Sequence, residues 1–549
     1  MLILRIHQII AVFSFFGSSL AAIGPVATLE ISNNVVSPDG SSRSSVVAGG
    51  THPGPLITGQ TGDRFQLNVV NRLTDDTMLR STSIHWHGIL QKGSAWADGP
   101  AGVSQCPISP GHSFQYQFDV GKQAGTYWYH SHLGTQYCDG LRGPLVIYDK
   151  NDPYRNSYDV DNESTVITLG EWYQIPTGSL NGIPLGNSTL INGKGRYPAG
   201  PQADLTIINV EKYRRYRFRL ISIACDPNYE FSIDGHNLTI IEADGEYTEK
   251  YTVDRLKIFA GQRYSFILEA NQDIDNYWIR ALPNSLFGWG STGTTPPPEP
   301  FAGGLHSAIL RYKGAPPNEP STQSLDEPKD LKETDLHALI DPKAPGQPSI
   351  GGADFSLNLL PSFDFGTKHF TINGHSFLNA TNLPVLLQIL RGTLDANDIL
   401  PKGSVYNLKR GQVVELTIPN TGGAVGGPHP FHLHGHSFSV VRSAGSNITN
   451  YHNPVRRDVV SIGDPNTQGN SNVTIRFVAD NAGPWILHCH IDFHLEAGLA
   501  VVFAEDAPNI KAKNPVPAAW DKLCPIYNSL PASATSVRPL QTEAKISFV

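Results

Sequence analysis

Three stretches of the chain alternate apolar and polar positions behind a glycine and stop at an asparagine. They are Gly62-Asp-Arg-Phe-Gln-Leu-Asn-Val-Val-Asn71, Gly261-Gln-Arg-Tyr-Ser-Phe-Ile-Leu-Glu-Ala-Asn271 and Gly411-Gln-Val-Val-Glu-Leu-Thr-Ile-Pro-Asn420. Alternation with a period of two predicts half-buried strands, because successive side chains on a strand point to opposite faces. Each stretch is followed by an aromatic-rich strand and then an apolar one: Tyr127-Trp-Tyr129 with Gly143–Tyr148, Tyr277-Trp-Ile279 with Ser307–Tyr312, and Pro484-Trp-Ile-Leu487 with Gly498–Phe503. Three rounds of one pattern predict three similar β domains. Helical periodicity is scarce, and 52 glycines and 41 prolines punctuate short apolar runs. The expected class is therefore all-β, built from β-sandwiches.

A chain of 549 residues is too long for one core. Its expected parts are a leader at 1–21, a first domain at 22–152, a second at 153–322 and a third at 323–549 that includes a patternless tail after Cys524. Gly314 to Pro328, rich in proline, serine and acidic residues, predicts the linker between the second and third domains. Gly288 to Gly304, with three consecutive prolines, predicts a long exposed loop bordering a pocket.

The leader carries one cation at Arg5, an apolar run from Ile9 to Phe16 and a small-residue cleavage site at Ser19-Leu20-Ala21. That is the make-up of a secretory signal; the run is far short of the ~20 residues a membrane span needs. A secreted, extracellular protein without a membrane anchor is expected. Sequons at Asn162, Asn187, Asn237, Asn379, Asn447 and Asn472 fit that route. The formal charge of −8, with no basic run, argues against a nucleic-acid partner.

The chemistry lies in ten of the 20 histidines. They fall in four clusters: His85-Trp-His87, His130-Ser-His132, His429-Pro-Phe-His432-Leu-His434 and His488-Cys489-His490-Ile-Asp-Phe-His494. Residues i and i+2 of a strand share a face about 6.6 Å apart, so each H-x-H presents two imidazoles together. Two pairs lie in the first domain and two in the third, while the middle repeat continues as Arg280-Ala-Leu-Pro without one. Metal should thus sit between domains one and three, with domain two a spacer and pocket wall. Eight imidazoles suit three copper ions with places left for oxygen; zinc hydrolase sites usually include carboxylates and have no use for an adjoining thiolate. Cys489 points away from its neighbours His488 and His490. It is free to join His429 and His494, whose spacings let them leave the cluster's face. One thiolate and two imidazoles describe a blue, type 1 copper.

If Cys489 is a ligand, Cys106, Cys138, Cys225 and Cys524 remain for two disulfides, in any of three pairings.

On these clusters, with Ala97-Asp-Gly99, Gln105-Cys-Pro-Ile108, Gly125-Thr-Tyr-Trp-Tyr-His-Ser-His132, Gln136-Tyr-Cys-Asp-Gly-Leu-Arg-Gly-Pro144 and His488 to Leu499, the chain resembles the secreted basidiomycete laccases of the multicopper oxidase family. The resemblance covers essentially the whole mature chain. It implies three cupredoxin-like Greek-key sandwich or barrel domains and four copper ions. His85 and His432 would hold the type 2 ion, and His87, His130, His132, His434, His488 and His490 the type 3 pair. His429, Cys489 and His494 would hold the type 1 ion. It implies disulfides Cys106–Cys524 and Cys138–Cys225, and Leu499 at the axial position, where it cannot donate to copper and so favours a high potential. It also matches Asp226 to the carboxylate that accepts the proton of a phenol, makes His494 the point of electron entry, and sets Asp98 near the type 2 ion as a proton donor to oxygen. Asp492 is a further candidate of that kind; His436 has no counterpart among the family's ligands.

The implied activity is that of a benzenediol:oxygen oxidoreductase. Phenols or aromatic amines lose single electrons, and O2 is reduced to water, with a role in lignin or phenolic breakdown and a monomeric enzyme. A ferroxidase would call for several carboxylates about His494, of which only Asp226 can be named. A copper-binding electron carrier would need His429, Cys489 and His494 alone.

Overall fold

The computed structural model describes residues 22–180, 184–198, 200–284, 301–378, 383–464 and 472–536. The leader at 1–21, most of the Gly288–Gly304 loop, the Asn379 sequon and the end of the tail lie outside the described residues.

Strands dominate, in three pairs of sheets. The first domain sets a four-stranded sheet (Arg43–Ala48, Val26–Val36, Arg64–Asn71, Ser113–Asp119) against a second of four strands (Ile57–Gln60, Arg142–Tyr148, Gly125–Ser131, Ile84–His87). The middle domain pairs sheets of six and five strands, and the third pairs two of five beside the small hairpin Pro361–Asp364 with His369–Ile372. One sheet in each domain repeats the same order. A short strand runs parallel to the apolar strand, which pairs antiparallel with the aromatic strand, which pairs with a fourth. That fourth strand is Ile84–His87 in the first domain and Pro430–Leu433 in the third; in the second it is Tyr229–Ile233, which has no histidine.

The other sheets correct one reading of the repeat. Arg64–Asn71 and Val413–Pro419 each pair with a parallel strand on one side and an antiparallel one on the other. In the middle domain the strand with those neighbours is Arg215–Ser222. Arg263–Glu269 corresponds instead to Ser113–Asp119, and its opening turn Gly261-Gln262 matches Gly111-His112: Gly111 N–H donates to Asn71 and Asn71 to His112, as Gly261 does to Ser222 and Ser222 to Gln262. Both strands open on a glycine turn and alternate, so the apolar pattern does not tell them apart.

Burial shows where the domains meet. Arg64–Asn71 alternates buried and open positions, whereas Gly125–Ser131 and Gly483–Cys489 are buried along their whole length. One face of each packs on its own core and the other on a neighbouring domain. Ile486, Ala500 and Val502 of the third domain join the apolar core of the first, so the histidine-bearing strands lie in a buried seam.

The expected linker is irregular but tied down: Arg196 pairs with Glu319, and Thr322 hydrogen-bonds Asp234 while its carbonyl takes Arg280. The tail is less patternless than its sequence. Leu523–Asn528 and Ala532–Thr535 are helical, and Cys524 bonds to Cys106 of the first domain. Among the described residues no helix is long and apolar enough to cross a membrane.

Candidate metal centre

Strand register brings the clusters together. His85 lies opposite His130 on paired strands of the first domain, and His432 opposite His488 on paired strands of the third. The two sheet edges then face each other. Across the two edges His85 Nε2 is 3.4 Å from His432 Nε2 and His87 Nδ1 is 3.2 Å from His490 Nε2, while within the third domain His434 Nε2 is 3.1 Å from His488 Nε2, with the His132 ring 5.2 Å from both.

Which nitrogen each ring offers is set by its other hydrogen bond, since a carbonyl or carboxylate can only accept. His85 donates Nδ1–H to the Asp98 carbonyl (2.7 Å) and His432 to the Asp458 carbonyl (2.9 Å). His434 donates to Asp98 Oδ2 (2.8 Å), His488 to the Cys489 carbonyl (3.0 Å) and His130 to the Ser131 carbonyl (2.8 Å). All five leave Nε2 bare. His87 is reversed: Nε2 faces Asp458 Oδ1 at 3.3 Å and Nδ1 is the bare atom. His130 Nε2 and His132 Nε2 are buried without any hydrogen-bond partner.

The bare atoms gather in three sets. His87, His130 and His490 form one, His132, His434 and His488 another, and His85 with His432 the third. No H-x-H pair serves a single set; each divides its two rings between neighbours. Burial, reinforced for most of them by the neighbouring histidines, holds His87, His130, His132, His432, His434, His488 and His490 below their ordinary range. They are therefore neutral, as ligands must be. Converging unprotonated nitrogens without partners are what a cluster of borderline cations such as copper would satisfy.

Cys489 sits on the opposite side of its strand. Its Sγ is 3.5 Å from His429 Nδ1 and 3.7 Å from His494 Nδ1, and these two nitrogens are 3.1 Å apart. Burial pushes the Cys489 thiol well up, so a cation is needed to hold it as thiolate. His429 Nε2 faces the Ala424 carbonyl at 3.3 Å, which leaves Nδ1 bare on the side of Cys489. Leu499 is fully buried; its carbonyl accepts from Cys489 N–H and its N–H donates to the His494 carbonyl, so it brackets two of the three donors. Phe370 lies 4.5 Å from the half-buried His494 ring. A Cβ on Gly426 would come within 3.0 Å of His494 Nε2, so a glycine there leaves that edge approachable.

The acidic candidates separate. Asp98, fully buried, closes the 3-10 turn Ala95–Ala97 and bridges His85 and His434 through its carbonyl and carboxylate; burial raises its carboxyl. Asp492 begins the short helix Asp492–Glu496, with its carboxylate against Cys138 of the disulfide and its pKa pushed up by burial. Asp226 follows Cys225, whose carbonyl accepts Asp492 N–H. Burial, and next the charge of Glu171, push Asp226 up to about 7. His436 turns away from the cluster to an ion pair with Glu505 at 2.9 Å.

The disulfides are Cys106–Cys524 and Cys138–Cys225, one of the three pairings; each joins distant segments. Asn162, Asn237 and Asn447 are exposed, and the side chains of Asn162 and Asn187 accept hydrogen bonds from backbone N–H groups. A cleft of about 230 Å³ lined by Pro100, Leu133, Phe377 and Glu496 reaches His132; a larger cavity of about 530 Å³ beside Trp520 touches none of these histidines and not Cys489.

Sequence reasoning missed Asp458 and Arg263. Asp458 stands in Arg456-Arg-Asp-Val, with no motif around it, yet it holds histidines of two sets, and both its oxygens take Arg263 (2.6 and 2.7 Å). The glycine after His85-Trp-His87 was the available signal: a Cβ there would lie 2.6 Å from Arg263 Nη2 and 2.8 Å from Asp458 Oδ2.

Models of the multicopper oxidase family match residues 30–152, 163–315 and 379–509. The chain belongs to that family. Within it the similarity is to basidiomycete laccases: 57% identity over 532 residues to Laccase-1 of Trametes villosa (96% of this chain, 99% of that one) and 58% over 521 residues to Laccase-2 of Pleurotus ostreatus (93% and 94%). Among solved structures, the laccase from Botrytis aclada is 33% identical with a TM-score of 0.77, covering 92% of each chain. Fet3p, a multicopper oxidase that functions in iron import, is 25% identical with a TM-score of 0.76, covering 94% of this chain and 97% of its own.

Proposed function

We propose that this protein is a laccase, a copper-dependent oxidoreductase that takes single electrons from phenols and aromatic amines and reduces O2 to water. Four copper ions are expected, one at Cys489, His429 and His494, one at His85 and His432, and one at each remaining set of three histidines. When bound, copper supplies the one-electron exchange at the first site and the reduction of oxygen at the other three.

The observation that carries the reading is the sharing of one strand end by two donor sets. Cys489 belongs to the thiolate site, while its covalent neighbours His488 and His490 belong to the histidine cluster. Two short bonded routes thus lead from one site to the other, and the His488 Nδ1–H bond to the Cys489 carbonyl adds a third link. A simple electron carrier has no need of the second site.

The protein's own residues supply the rest. Phe370, and Phe363 set edge-on to it at 4.8 Å, give His494 an aromatic surround that suits a phenol ring better than a hydrated metal ion. Asp226, poised near neutrality, takes the phenolic proton as the electron leaves. Asp98 and Asp492 hold protons near the cluster for the oxygen side, and the cleft at His132 admits O2. We read residues 1–21 as a secretory leader, Asn237 and Asn447 as the readiest glycan sites, and the enzyme as an extracellular monomer acting on lignin-derived or other phenolics.

Oxygen uptake and the visible spectrum of the copper-loaded protein test this, with a dimethoxyphenol or ferrous iron as donor. The reading expects a blue thiolate-to-copper band, uptake with the phenol, and loss of both in Cys489→Ser. Uptake with ferrous iron and none with the phenol would replace it with a ferroxidase.

A further inference from the structure

The histidine and cysteine donors all come from the first and third domains, yet part of the wall behind them belongs to the second. A Cβ on Gly261 would lie 2.9 Å from His490 Cδ2 and 3.0 Å from His87 Cε1. The next residue, Gln262, donates its side-chain amide to the Val459 carbonyl at 3.1 Å. Arg263, fully buried, touches all three domains: Nε donates to the Thr126 carbonyl of the first (2.9 Å), and the two terminal nitrogens grip Asp458 of the third. Asp458 in turn accepts His87 on Oδ1 and His432 on its carbonyl. The matching turn of the first domain makes the same backbone bonds, but a Cβ on Gly111 would meet nothing within 4 Å.

We propose that the Gly261-Gln262-Arg263 turn of the middle domain is a positioning element of the histidine cluster. Arg263 fixes Asp458 and through it the rings of His87 and His432, while the bare Cα of Gly261 sets how closely His87 and His490 pack. This rests on the copper reading above.

Outer partners of ligand histidines set ring orientation and tautomer, and their loss typically weakens metal affinity by about 10–100-fold. A planar, two-pronged guanidinium can hold both oxygens of Asp458 at once; lysine keeps the charge but not the fork. Without Arg263, Asp458 is a buried carboxylate with no counter-charge on those oxygens and swings towards its remaining donors.

The test compares the wild type with Arg263→Met, Arg263→Lys and Gly261→Ala. Arg217→Met is the control: it removes a similarly buried arginine from the neighbouring strand Arg215–Ser222, whose partners are Asp152 and Glu242 rather than Asp458. Copper per chain is followed against rising chelator, together with the paramagnetic signal of the His85–His432 site and the blue band of the Cys489 site. Arg263→Met is expected to lose cluster copper at chelator levels about 10–100-fold below those the wild type needs. Its paramagnetic signal should change while the blue band persists, and Arg263→Lys should fall between. Gly261→Ala should disturb the cluster's spectrum alone, and it carries the test with Arg263→Lys if Arg263→Met does not fold. Wild-type retention and signals in both Arg263→Lys and Gly261→Ala would overturn the proposal. So would parallel loss of the blue band and cluster copper matching Arg217→Met, since that marks a general folding defect. A wild type that takes up no copper would sink the copper reading itself.

Discussion

A histidine can bind metal only through a nitrogen without a proton, and here backbone carbonyls decide which nitrogen that is. His85, His130, His432 and His488 spend Nδ1–H on carbonyls and point Nε2 inward; His87, turned by Asp458, does the reverse. Asp226 shows the same economy with protons. Burial and Glu171 raise it to about 7, so it is protonated below that pH and able to accept a proton above it. Phenol turnover is therefore expected to rise as pH increases through about 7. Asp226→Asn should flatten that rise and lower turnover on the order of 100-fold, while changing oxidation of a donor that loses no proton much less. Rate–pH profiles with the two donor types check this; an unaltered phenol profile in the variant would remove Asp226 from the mechanism.

At the scale of elements, the site is a matter of register. His85 faces His130 and His432 faces His488 only while their strands keep one alignment, and a slip of one residue would turn every ring to the other face. Gly99 guards the first alignment. It has φ of 104°, and a Cβ there would lie 1.9 Å from the Ile84 carbonyl, at the start of the strand that carries His85. Gly99→Ala is expected to cost at least about 2 kcal/mol in thermal or denaturant unfolding and to weaken copper retention at the histidine cluster.

Much of this scale was legible in the chain. Period-two runs marked the strands, and H-x-H spacing marked which of them carry donors, because both follow from alternation along a strand. The middle repeat was misaligned for the same reason: Arg215–Ser222 and Arg263–Glu269 are neighbours in one sheet and both alternate. Choosing between them needs the pairing partner, which no local pattern records.

For the whole molecule, the donors sit in a seam that several long-range ties keep closed. Cys106–Cys524 spans 418 residues and returns the tail to the first domain. Replacing both cysteines by serine is expected to lower unfolding stability by about 2–5 kcal/mol, measured by denaturant titration, with the blue band intact in the folded fraction. Contacts of this reach were the least visible beforehand. His87 and Asp458 lie 371 residues apart, and Arg263 joins them from a domain that adds no residue to these donor sets among the described residues. The sequence motif displays the donors, whereas what orients them is scattered across the chain as single residues. Under the proposed function, electrons enter one at a time at the site of Cys489, His429 and His494 and leave together to oxygen at the histidine cluster. The most direct test is the ratio of dimethoxyphenol oxidised to O2 consumed by the copper-loaded enzyme, with peroxide assayed alongside. Four electrons drawn from the phenol per O2 and no peroxide is the predicted result; two electrons per O2 with peroxide accumulating would contradict it.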